Sequence, residues 1–591
     1  MKTIEKSLGD YIADRTESLD EEFIGEFFVE YSEEKLSRLL DSEQYIFEGS
    51  RGIGKTMLMK YAALKAKESF GKNSVLGVWI SFEESIRLER IRVVDSSIDP
   101  FLQWTMGKIL YEVLTRLIDL KPKNIDKLNE RLSSIFGTKI TRNYDQYSKL
   151  LYKYIELLET GDLEDNRSLK SEAPSVELSN ILDNPSSFKK FLKNIIDDFQ
   201  LTRIVLLFDE AAHVFSHSQQ EKFFTFFKSL RDPQIACKAA VYPGITNYGK
   251  FFEKGQDAKE LSIKWMPNNK ENIRYIKDIL KKRIQAYDQE YWNKLTVDQT
   301  IIETICVCSN GNPRFAFHII DELESNGSFK LKSIPMQRVI NSVRKVLDSK
   351  WKEFSTLKNR LVKYKTHIEE AEKLTKEFII PNLREWNKKQ RKANKHLSAG
   401  FYLSTSVYDS IPELFEVLAY SNIILIDYTK KSIGHNQYGY YVTLNPSILI
   451  SDLILRDVRE VEKISVSIER NQSYSGATPV FSQLVENLKH QNEYHCSNSK
   501  CTFKTNDDSF LFCPKCGNKI GVEESESLYK ILRSHSIDNL KLSEKILARL
   551  SKKFSNIGEI YDSSIDDIRM KYIQDIRAEK IKNAAVEYMA G

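Results

Sequence analysis

The sequence predicts an α/β domain with a parallel sheet near its amino end, followed by mostly helical domains. Short apolar runs alternate with helical patterns, which is typical of doubly wound α/β proteins. These runs are residues 45–47, 75–80, 204–208 and 238–242. From residue 268 to residue 395 the pattern is helical. The chain has 591 residues, and at ~100–200 residues per domain it should form several folded units.

Composition limits the class of protein and of partner. Hydrophobic residues make up 41% of the chain, which excludes a wholly disordered protein. The 88 Lys and Arg residues nearly balance the 83 Asp and Glu residues, so a polyanionic partner would need a local basic cluster. No apolar run approaches the ~18–20 residues of a membrane-spanning helix. We therefore expect a soluble cytoplasmic protein without a membrane partner.

The strongest motif is a glycine-rich turn directly after the first apolar run. It matches the phosphate-binding pattern G-x-x-x-x-G-K-[ST], and its residues are Gly49, Ser50, Arg51, Gly52, Ile53, Gly54, Lys55 and Thr56, with Met57 following in a predicted helix. Glycines let backbone N–H groups turn towards phosphate oxygens, and the helix N-terminus adds its positive dipole end. Lys55 would bind the β- and γ-phosphates, and Thr56 would bind Mg²⁺. The alternative is a fortuitous glycine turn.

Five apolar residues followed by two acids form a second motif. The acids are Asp209 and Glu210, after the run 204–208. Asp209 would hold the Mg²⁺ shell, and Glu210 would polarise the water that attacks the γ-phosphate. A plain strand end is the alternative, and the pairing with the phosphate loop favours catalysis. ATP and Mg²⁺ are therefore the predicted ligands.

On these motifs the chain resembles AAA+ ATPases of the origin-recognition-complex-like branch, and it is similar to the signalling NTPases called STAND proteins. Residues 241–247 resemble the fourth strand of that branch, whose polar sensor would be Asn247. Residues 311–314 resemble the start of the sensor-two helix in the lid, from which Arg314 would reach the nucleotide. The resemblance covers residues 20–345. A turn residue and a surface cation are the respective alternatives.

The carboxyl-terminal half contains a charged helical stretch and a second β signal. The stretch ends in basic residues, namely Arg384, Lys388, Lys389, Arg391, Lys392 and Lys395, which could contact phosphates or form a solvated helix face. The pattern of residues 412–453 predicts a helix, a strand, a polar loop, a second strand and a second helix, in that order. This order resembles the winged-helix module of the same branch, with Lys430, Lys431 and His435 in the wing. An unrelated hairpin is the alternative.

Four cysteines crowd into one short segment, namely Cys496, Cys501, Cys513 and Cys516. In a long intracellular chain such spacing is typical of metal binding, and four thiolates fill the tetrahedral coordination of Zn²⁺. We therefore predict a structural zinc ribbon. Unliganded cysteines are the alternative, and His495 could replace one ligand.

Residues 540–589 predict about four short helices. Residues 573–581 resemble the second half of a helix-hairpin-helix motif, although the usual hairpin glycines are missing. Basic residues there could meet a phosphate backbone, namely Lys571, Arg577, Lys580 and Lys582. A plain helical bundle is the alternative.

The predicted architecture is an α/β P-loop NTPase (AAA+) core with a helical lid, a winged-helix-like α+β module, a small zinc ribbon and an all-α tail. The predicted domains are a base domain (1–265), a lid (266–345), charged helices with the winged-helix-like module (346–465), the ribbon (485–522) and the tail (523–591). The base domain contains a helical insertion (86–200), interrupted by a polar segment (160–185) that is a surface insertion or a mobile loop.

These features predict an ATPase whose carboxyl-terminal modules bind nucleic acid, with DNA favoured. The resemblance implies a homo-oligomer and a bacterial phage-defence or mobile-element setting, in which a separate effector protein could act. The alternative is a nucleotide-controlled signalling or scaffold switch whose carboxyl-terminal modules bind a protein partner or effector.

Overall fold

The computed structural model describes residues 7–12, 16, 18–30, 33–82, 99–121, 124–136, 149–156, 176–211, 217–262, 265, 269–361, 364–434, 437–464, 494–496, 501, 503–505, 512–518, 520–521, 532–540, 542 and 544–590. The chain forms two compact units. The first unit comprises Ala13–Lys264 and Arg533–Gly591, and the second comprises Met1–Ile12 and Trp265–Leu532.

The amino-terminal half contains, in chain order, α1 (Leu8–Tyr11), α2 (Glu21–Phe27), α3 (Glu33–Leu40), β1 (Tyr45–Glu48), α4 (Lys55–Asn73), β2 (Val75–Ser81), α5 (Pro100–Leu120), α6 (Ile125–Phe136), α7 (149–156), α8 (Val176–Asp183), α9 (Pro185–Phe199), β3 (Arg203–Asp209), α10 (His217–Ser229), β4 (Ile235–Val241) and β5 (Lys259–Ser262). All of these except α1 belong to the first unit.

A five-stranded parallel sheet with the order β2-β3-β4-β1-β5 forms the centre of the first unit. The predicted parallel α/β fold is therefore confirmed. The register pairs Glu48 of β1 with Val241 of β4, and Phe208 of β3 with Ala239 of β4. Because the strands are parallel, the carboxyl ends of β1, β3 and β4 meet at one edge of the sheet.

Apolar side chains bury both faces of this sheet. Phe47, Met59 and Leu207 belong to one buried cluster that joins β1, α4 and β3. On β2, a Cβ atom at Gly77 would lie 2.6 Å from the Cβ atom of Ala66, so glycine permits α4 to pack closely. This close contact fixes the position of the helix that begins at Lys55.

An aromatic cluster attaches the helical insertion to the sheet. Phe208 on β3 lies 5.4 Å from Phe223 on α10 and 5.7 Å from Phe82, measured between ring centroids. Trp104 on α5 lies 5.6 Å from Phe82, and all four rings are fully buried. The packing of these rings explains how a long insertion is accommodated without opening the sheet.

The described parts of the insertion are helical, as the sequence predicts, and the polar segment 160–185, predicted as a surface insertion or mobile loop that interrupts the helices, is helical from Val176 onwards. Residues 157–175 lie outside the described residues. Val176–Asp183 is a helix, and a second helix begins at Pro185. The side chain of Asn184 caps that second helix by accepting from the backbone N–H of Ser186 at 2.8 Å.

The remaining elements include α11 (Lys270–Tyr287), α12 (Gln289–Thr296), α13 (Gln299–Cys308), α14 (Pro313–Ser325), α15 (Met336–Arg360), α16 (Lys365–Lys373), α17 (Ile380–Lys392), β6 (Gly400–Ser404), α18 (Thr405–Ser410), α19 (Pro412–Tyr420), β7 (Ile424–Gly434), β8 (Gln437–Leu444), α20 (Pro446–Ser451), β9 (Tyr494–Cys496), β10 (Lys504–Thr505), β11 (Ile520–Gly521), α21 (Glu544–Leu550), α22 (Ile557–Asp562), α23 (Ile565–Ile568) and α24 (Asp575–Ala590).

The second unit combines helices with two small antiparallel sheets. One sheet has the order β6-β8-β7 and lies between α17 and α20 in sequence, and the other has the order β10-β9-β11. The stretch predicted as a polar loop between β7 and β8 is mostly strand, because β7 extends to Gly434 and β8 begins at Gln437. The winged-helix identity of this module stays a prediction. Among the described helices, none is both long enough and apolar enough to span a lipid bilayer.

A buried lysine holds the amino end of β1 in place. Lys238, in the middle of β4, has a fully buried side chain. Its Nζ donates to the Asp41 carboxylate at 2.8 Å and to the Asp41 carbonyl at 3.1 Å, and it also contacts the Glu43 carbonyl. Burial lowers the pKa of Lys238 to about 8, although the Asp41 carboxylate opposes this shift.

We expect Lys238 to make the protein more stable as the pH rises above about 8. Between about pH 8 and 10.5 the unfolded chain binds more protons at this lysine than the folded chain, so the free energy of unfolding should rise with pH. The total gain is at most about 3 kcal/mol. Chemical unfolding at several pH values measures it. The variant Lys238→Met should lack this rise, and parallel curves for the two proteins would contradict the assignment.

Candidate nucleotide-binding site

The glycine-rich turn lies between the end of β1 at Glu48 and the start of α4 at Lys55. Gly52 has φ +84° and Gly54 has φ +94°, in the region that side chains other than glycine rarely adopt. Gly54 is also the N-cap of α4. The loop therefore has the strand–turn–helix setting that a phosphate-binding loop requires.

Lys55 lies against this loop and is only 5% exposed. Its Nζ donates to the carbonyl oxygens of Gly49 at 2.6 Å and Ser50 at 3.1 Å. The same Nζ lies 3.8 Å from the centre of the Tyr242 ring, a cation–π distance. A phosphate oxygen would be a stronger acceptor for this ammonium group than either carbonyl oxygen.

The acidic pair lies at the carboxyl end of β3. Asp209 is the last residue of the strand and is 1% exposed. Its carboxylate accepts from the indole N–H of Trp79 at 3.3 Å and from the backbone N–H of Glu210 at 3.1 Å. Glu210 has φ +59°, an uncommon left-handed conformation for this residue type. One carboxylate oxygen of Glu210 accepts from the Tyr242 hydroxyl at 2.8 Å.

The phosphate loop and the acidic pair converge although they are far apart in sequence. β4 separates β1 from β3 in the sheet, and the backbone N–H of Gly49 donates to the carbonyl of Val241 at 3.3 Å. Tyr242, the next residue, contacts Lys55 with its ring and Glu210 with its hydroxyl. Both motifs therefore contact the side chain of Tyr242.

Tyr242 is the site residue that the sequence analysis missed, because it was assigned to the end of an apolar strand. The sequence signal for Tyr242 is its position directly after β4. The residue that follows a parallel strand lies at the same sheet edge as the loops after the neighbouring strands. Thr246 fixes its backbone, since the Thr246 hydroxyl donates to the Tyr242 carbonyl at 2.7 Å and accepts from the Tyr242 N–H at 3.2 Å.

Asn247 lies in the segment after β4. Its backbone N–H donates to the side chain of Gln220 at 2.5 Å. Its side-chain oxygen accepts from the backbone N–H of Gly249 at 3.0 Å, so this oxygen stabilises the local turn. The sensor role of Asn247 stays a prediction.

Arg314 belongs to the second unit, near the start of α14. Asn312 caps this helix by accepting from the backbone N–H of Phe315 at 3.1 Å. Gly311 has φ +71°, and a Cβ atom there would lie 1.9 Å from the Trp265 ring. The predicted helix start is present, and the nucleotide contact of Arg314 stays a prediction.

The four clustered cysteines come together in the second unit. The sulfur atoms of Cys496, Cys501, Cys513 and Cys516 all lie within 4.8 Å of one another. The Cys496–Cys516 distance is 3.3 Å and the Cys501–Cys513 distance is 3.6 Å. A tetrahedral zinc site with Zn–S bonds of ~2.3 Å has sulfur atoms roughly 3.8 Å apart. The donor set and its spacing therefore fit Zn²⁺.

A tight turn presents the second pair of thiols. The N–H of Gly517 donates to the Cys513 carbonyl at 2.8 Å, and Gly517 has φ +70°. A hydrogen bond from the backbone N–H of Asn518 lowers the pKa of Cys516 to about 7. A thiol that ionises near neutral pH is suited to metal ligation.

The predicted basic residues differ in exposure, and two of the exposed ones, Lys388 and Arg577, contact the Glu385 carboxylate and the Tyr572 carbonyl. In α17, Arg391 forms an ion pair with Glu460 at 2.6 Å, and Arg384 contacts Asp452 at 3.2 Å. In the tail, Lys582 donates to the carbonyl of Ser563 at 2.8 Å. The exposed members are Lys388, Lys389, Lys392, Lys395, Lys571, Arg577 and Lys580. His435 lies outside the described residues.

Comparison with known proteins gives one family match. A family model described as ORC-CDC6-like matches residues 13–412. The Aeropyrum pernix ORC2 protein, solved as ADPNP-ADP complexes, is similar with a TM-score of 0.27 and 12% identity over 72% of this chain and 92% of that chain. The Aeropyrum pernix ORC1 protein in complex with DNA has a TM-score of 0.27 and 9% identity over 75% of this chain and 96% of that chain. No curated protein matches.

We expect the purified protein to contain one zinc ion per chain at the cysteine cluster. Elemental analysis after dialysis measures the metal content. Cys513→Ser should lower the content well below one, because three thiolates hold Zn²⁺ less tightly than four. Cys306→Ala is the matched control, since Cys306 is buried elsewhere in the same unit and should leave the zinc in place. Equal zinc content in the two variants would contradict this assignment.

Proposed function

The chain belongs to the ORC-CDC6-like family, as its motifs predicted, and from this premise we propose that it binds and hydrolyses ATP and that nucleotide binding controls its association with DNA. The observation that carries the proposal is that Lys55 and Glu210 both contact Tyr242, Lys55 at the face of the ring and Glu210 at the hydroxyl. The cation that would bind phosphate and the carboxylate that would accept a proton from water therefore lie at the same edge of the sheet. The proposed site residues are those of the phosphate loop with Met57, and Asp209, Glu210, Asn247 and Arg314.

In the proposed reaction, the amide groups of the phosphate loop and Lys55 bind the β- and γ-phosphates. Water attacks the γ-phosphorus, and its proton passes to the Glu210 carboxylate. The bond from this phosphorus to the β,γ-bridging oxygen breaks, so ADP leaves and phosphate is formed. Thr56 and Asp209 would hold Mg²⁺, since a hydroxyl and a carboxylate suit this hard cation. When bound, Mg²⁺ would neutralise charge on the phosphate oxygens.

The proposed DNA contacts are the exposed cations of the tail and of α17, together with the β7–β8 hairpin. Tyr428 and Tyr438 on this hairpin are 47% and 57% exposed, and Lys430 is also exposed. Cations beside exposed aromatic rings suit a phosphate backbone with adjacent bases or sugars. We also propose the modular division predicted from the sequence, homo-oligomer formation, and a role in a phage-defence or mobile-element system.

The first test is nucleotide binding and turnover in two variants. Lys55→Ala should weaken ATP binding by about tenfold or more, because a charge-assisted contact to phosphate is lost. Glu210→Gln should keep the affinity for ATP and lower kcat by about 100-fold or more, because the amide cannot accept the proton from water. Calorimetry and a phosphate-release assay measure these effects. Unchanged turnover in Glu210→Gln would refute the assignment of the base.

The second test concerns DNA. The pair Lys571→Glu and Lys580→Glu should weaken binding to duplex DNA and reduce the log–log salt slope by up to about 2, because two phosphate contacts are removed. The pair Lys281→Glu and Lys332→Glu makes the same charge change at exposed sites in the second unit and serves as the control. Titrations with duplex and single strands, each with ATP and with ADP, measure both quantities. If oligomer formation depends on nucleotide but no nucleic acid binds at low salt, a signalling switch replaces this proposal.

A further inference from the structure

The loop between α23 and α24 presents an exposed tyrosine in a tight turn. The backbone N–H of Met570 donates to the carbonyl of Ile573 at 3.1 Å, and the N–H of Ile573 donates to the carbonyl of Met570 at 2.8 Å. These two hydrogen bonds close a short hairpin with Lys571 and Tyr572 at its tip. The side chain of Ile573 is fully buried, so the base of the hairpin is fixed to the tail. Tyr572 is 59% exposed.

The backbone of Tyr572 is in an unfavourable conformation. Its φ is +72°, in the left-handed region that glycine adopts readily and that a bulky aromatic residue rarely adopts. This conformation costs folding free energy, and an exposed ring offsets little of that cost by burial. A strained residue with an exposed aromatic side chain is typical of a binding position rather than of a packing position.

Three cations contact this tyrosine. The guanidinium carbon of Arg549 lies 4.7 Å from the centre of the Tyr572 ring, and the Nζ of Lys571 lies 5.6 Å from it. Arg577 donates to the Tyr572 carbonyl at 2.8 Å. Among the described residues, none of these three cations forms an ion pair with a carboxylate. The hairpin tip therefore combines an aromatic surface with positive charge, which complements the bases and phosphates of a nucleic acid strand.

An exposed ring beside cations favours an unpaired base over a base pair. In a duplex, the faces of each base are covered by neighbouring bases, and only groove edges, sugars and phosphates are accessible. In a single strand, a base can lie on an aromatic ring while its phosphates contact cations. The cations alone cannot make this distinction, because both forms of DNA carry the same phosphate groups.

We propose that Tyr572 stacks on an unpaired base and gives the tail a preference for single-stranded over duplex DNA. This inference rests on the proposed function, since it names the form of DNA that one proposed contact region selects. The tail lies outside residues 13–412, which the family model matches. Arg549 supports the ring through its cation–π contact, and Lys571 and Arg577 bind the adjacent phosphates.

The test removes the ring without disturbing the turn. Tyr572→Gly accepts the positive φ without strain, and Tyr572→Phe keeps the ring. With the full chain and a labelled single strand, Tyr572→Gly should raise the dissociation constant by about 5- to 150-fold, the effect of losing one stacked base. Tyr572→Phe should stay within about twofold, and both variants should bind a duplex of the same sequence within about twofold of the wild type. Fluorescence anisotropy measures these affinities, and an unchanged unfolding midpoint shows that the variants are folded.

A single strand built of abasic sites separates stacking from charge. It carries the phosphates but no bases, so the wild type and Tyr572→Gly should bind it within about twofold of each other. The matched control is Phe251→Ala, which removes an aromatic ring that is 67% exposed elsewhere in the same unit. This control should leave the affinities for all three forms of DNA unchanged.

Three results would refute the stacking and leave the DNA proposal in place. They are equal single-strand affinities of the wild type and Tyr572→Gly, equal losses on the single strand and the duplex, and a loss on the abasic strand as large as that on the strand with bases. If the wild type binds neither single strands nor duplex at low salt, the proposed association with DNA and the stacking are refuted together.

Discussion

The parallel alignment of β1, β3 and β4 is the constraint on which the rest of the first unit depends. Their shared direction brings three chain segments to one sheet edge, and the central position of β4 determines which side chain lies between the other two. The phosphate loop and the acidic pair need no direct contact with each other. The short connection after β4 supplies both neighbours with one aromatic side chain, so a change in register there would disturb both motifs.

The fold was predictable where burial determines residue type. β1 to β4 are apolar because both faces of the sheet are covered, and the sequence shows them as apolar runs. β5 was not predicted, because its sequence Lys259-Glu260-Leu261-Ser262 is mostly polar, as an edge strand permits. The helix at Val176–Asp183 was missed, because the segment around it is polar and contains Pro174 and Pro185 and was therefore predicted as a surface insertion or mobile loop. Both errors concern peripheral elements whose structure depends on partners distant in sequence.

The site was predictable to the extent that its chemistry is local. The phosphate loop, the acids after β3 and the cysteine cluster each lie within a short stretch, so spacing alone indicates their chemistry. Tyr242 was not predictable in this way, because its importance comes from the strands on either side. The same holds for the basic residues of α17. Arg391 is largely buried in its ion pair with Glu460, whereas Lys388 is exposed and pairs with the exposed Glu385, and no sequence pattern distinguishes the two cations.

The close packing of Ala66 on Gly77 links the position of α4 on the sheet to the position of Lys55. Ala66 lies within α4, eleven residues after Lys55 at the start of the helix, which is ~16 Å at 1.5 Å per residue. A methyl group added at Gly77 would push α4 away from the sheet at Ala66. A rigid rod transmits a tilt along its whole length, so the ammonium at the other end would be displaced from a site that the added atom never touches. The absence of a side chain at Gly77 on β2 therefore helps to determine the position of the Lys55 ammonium group.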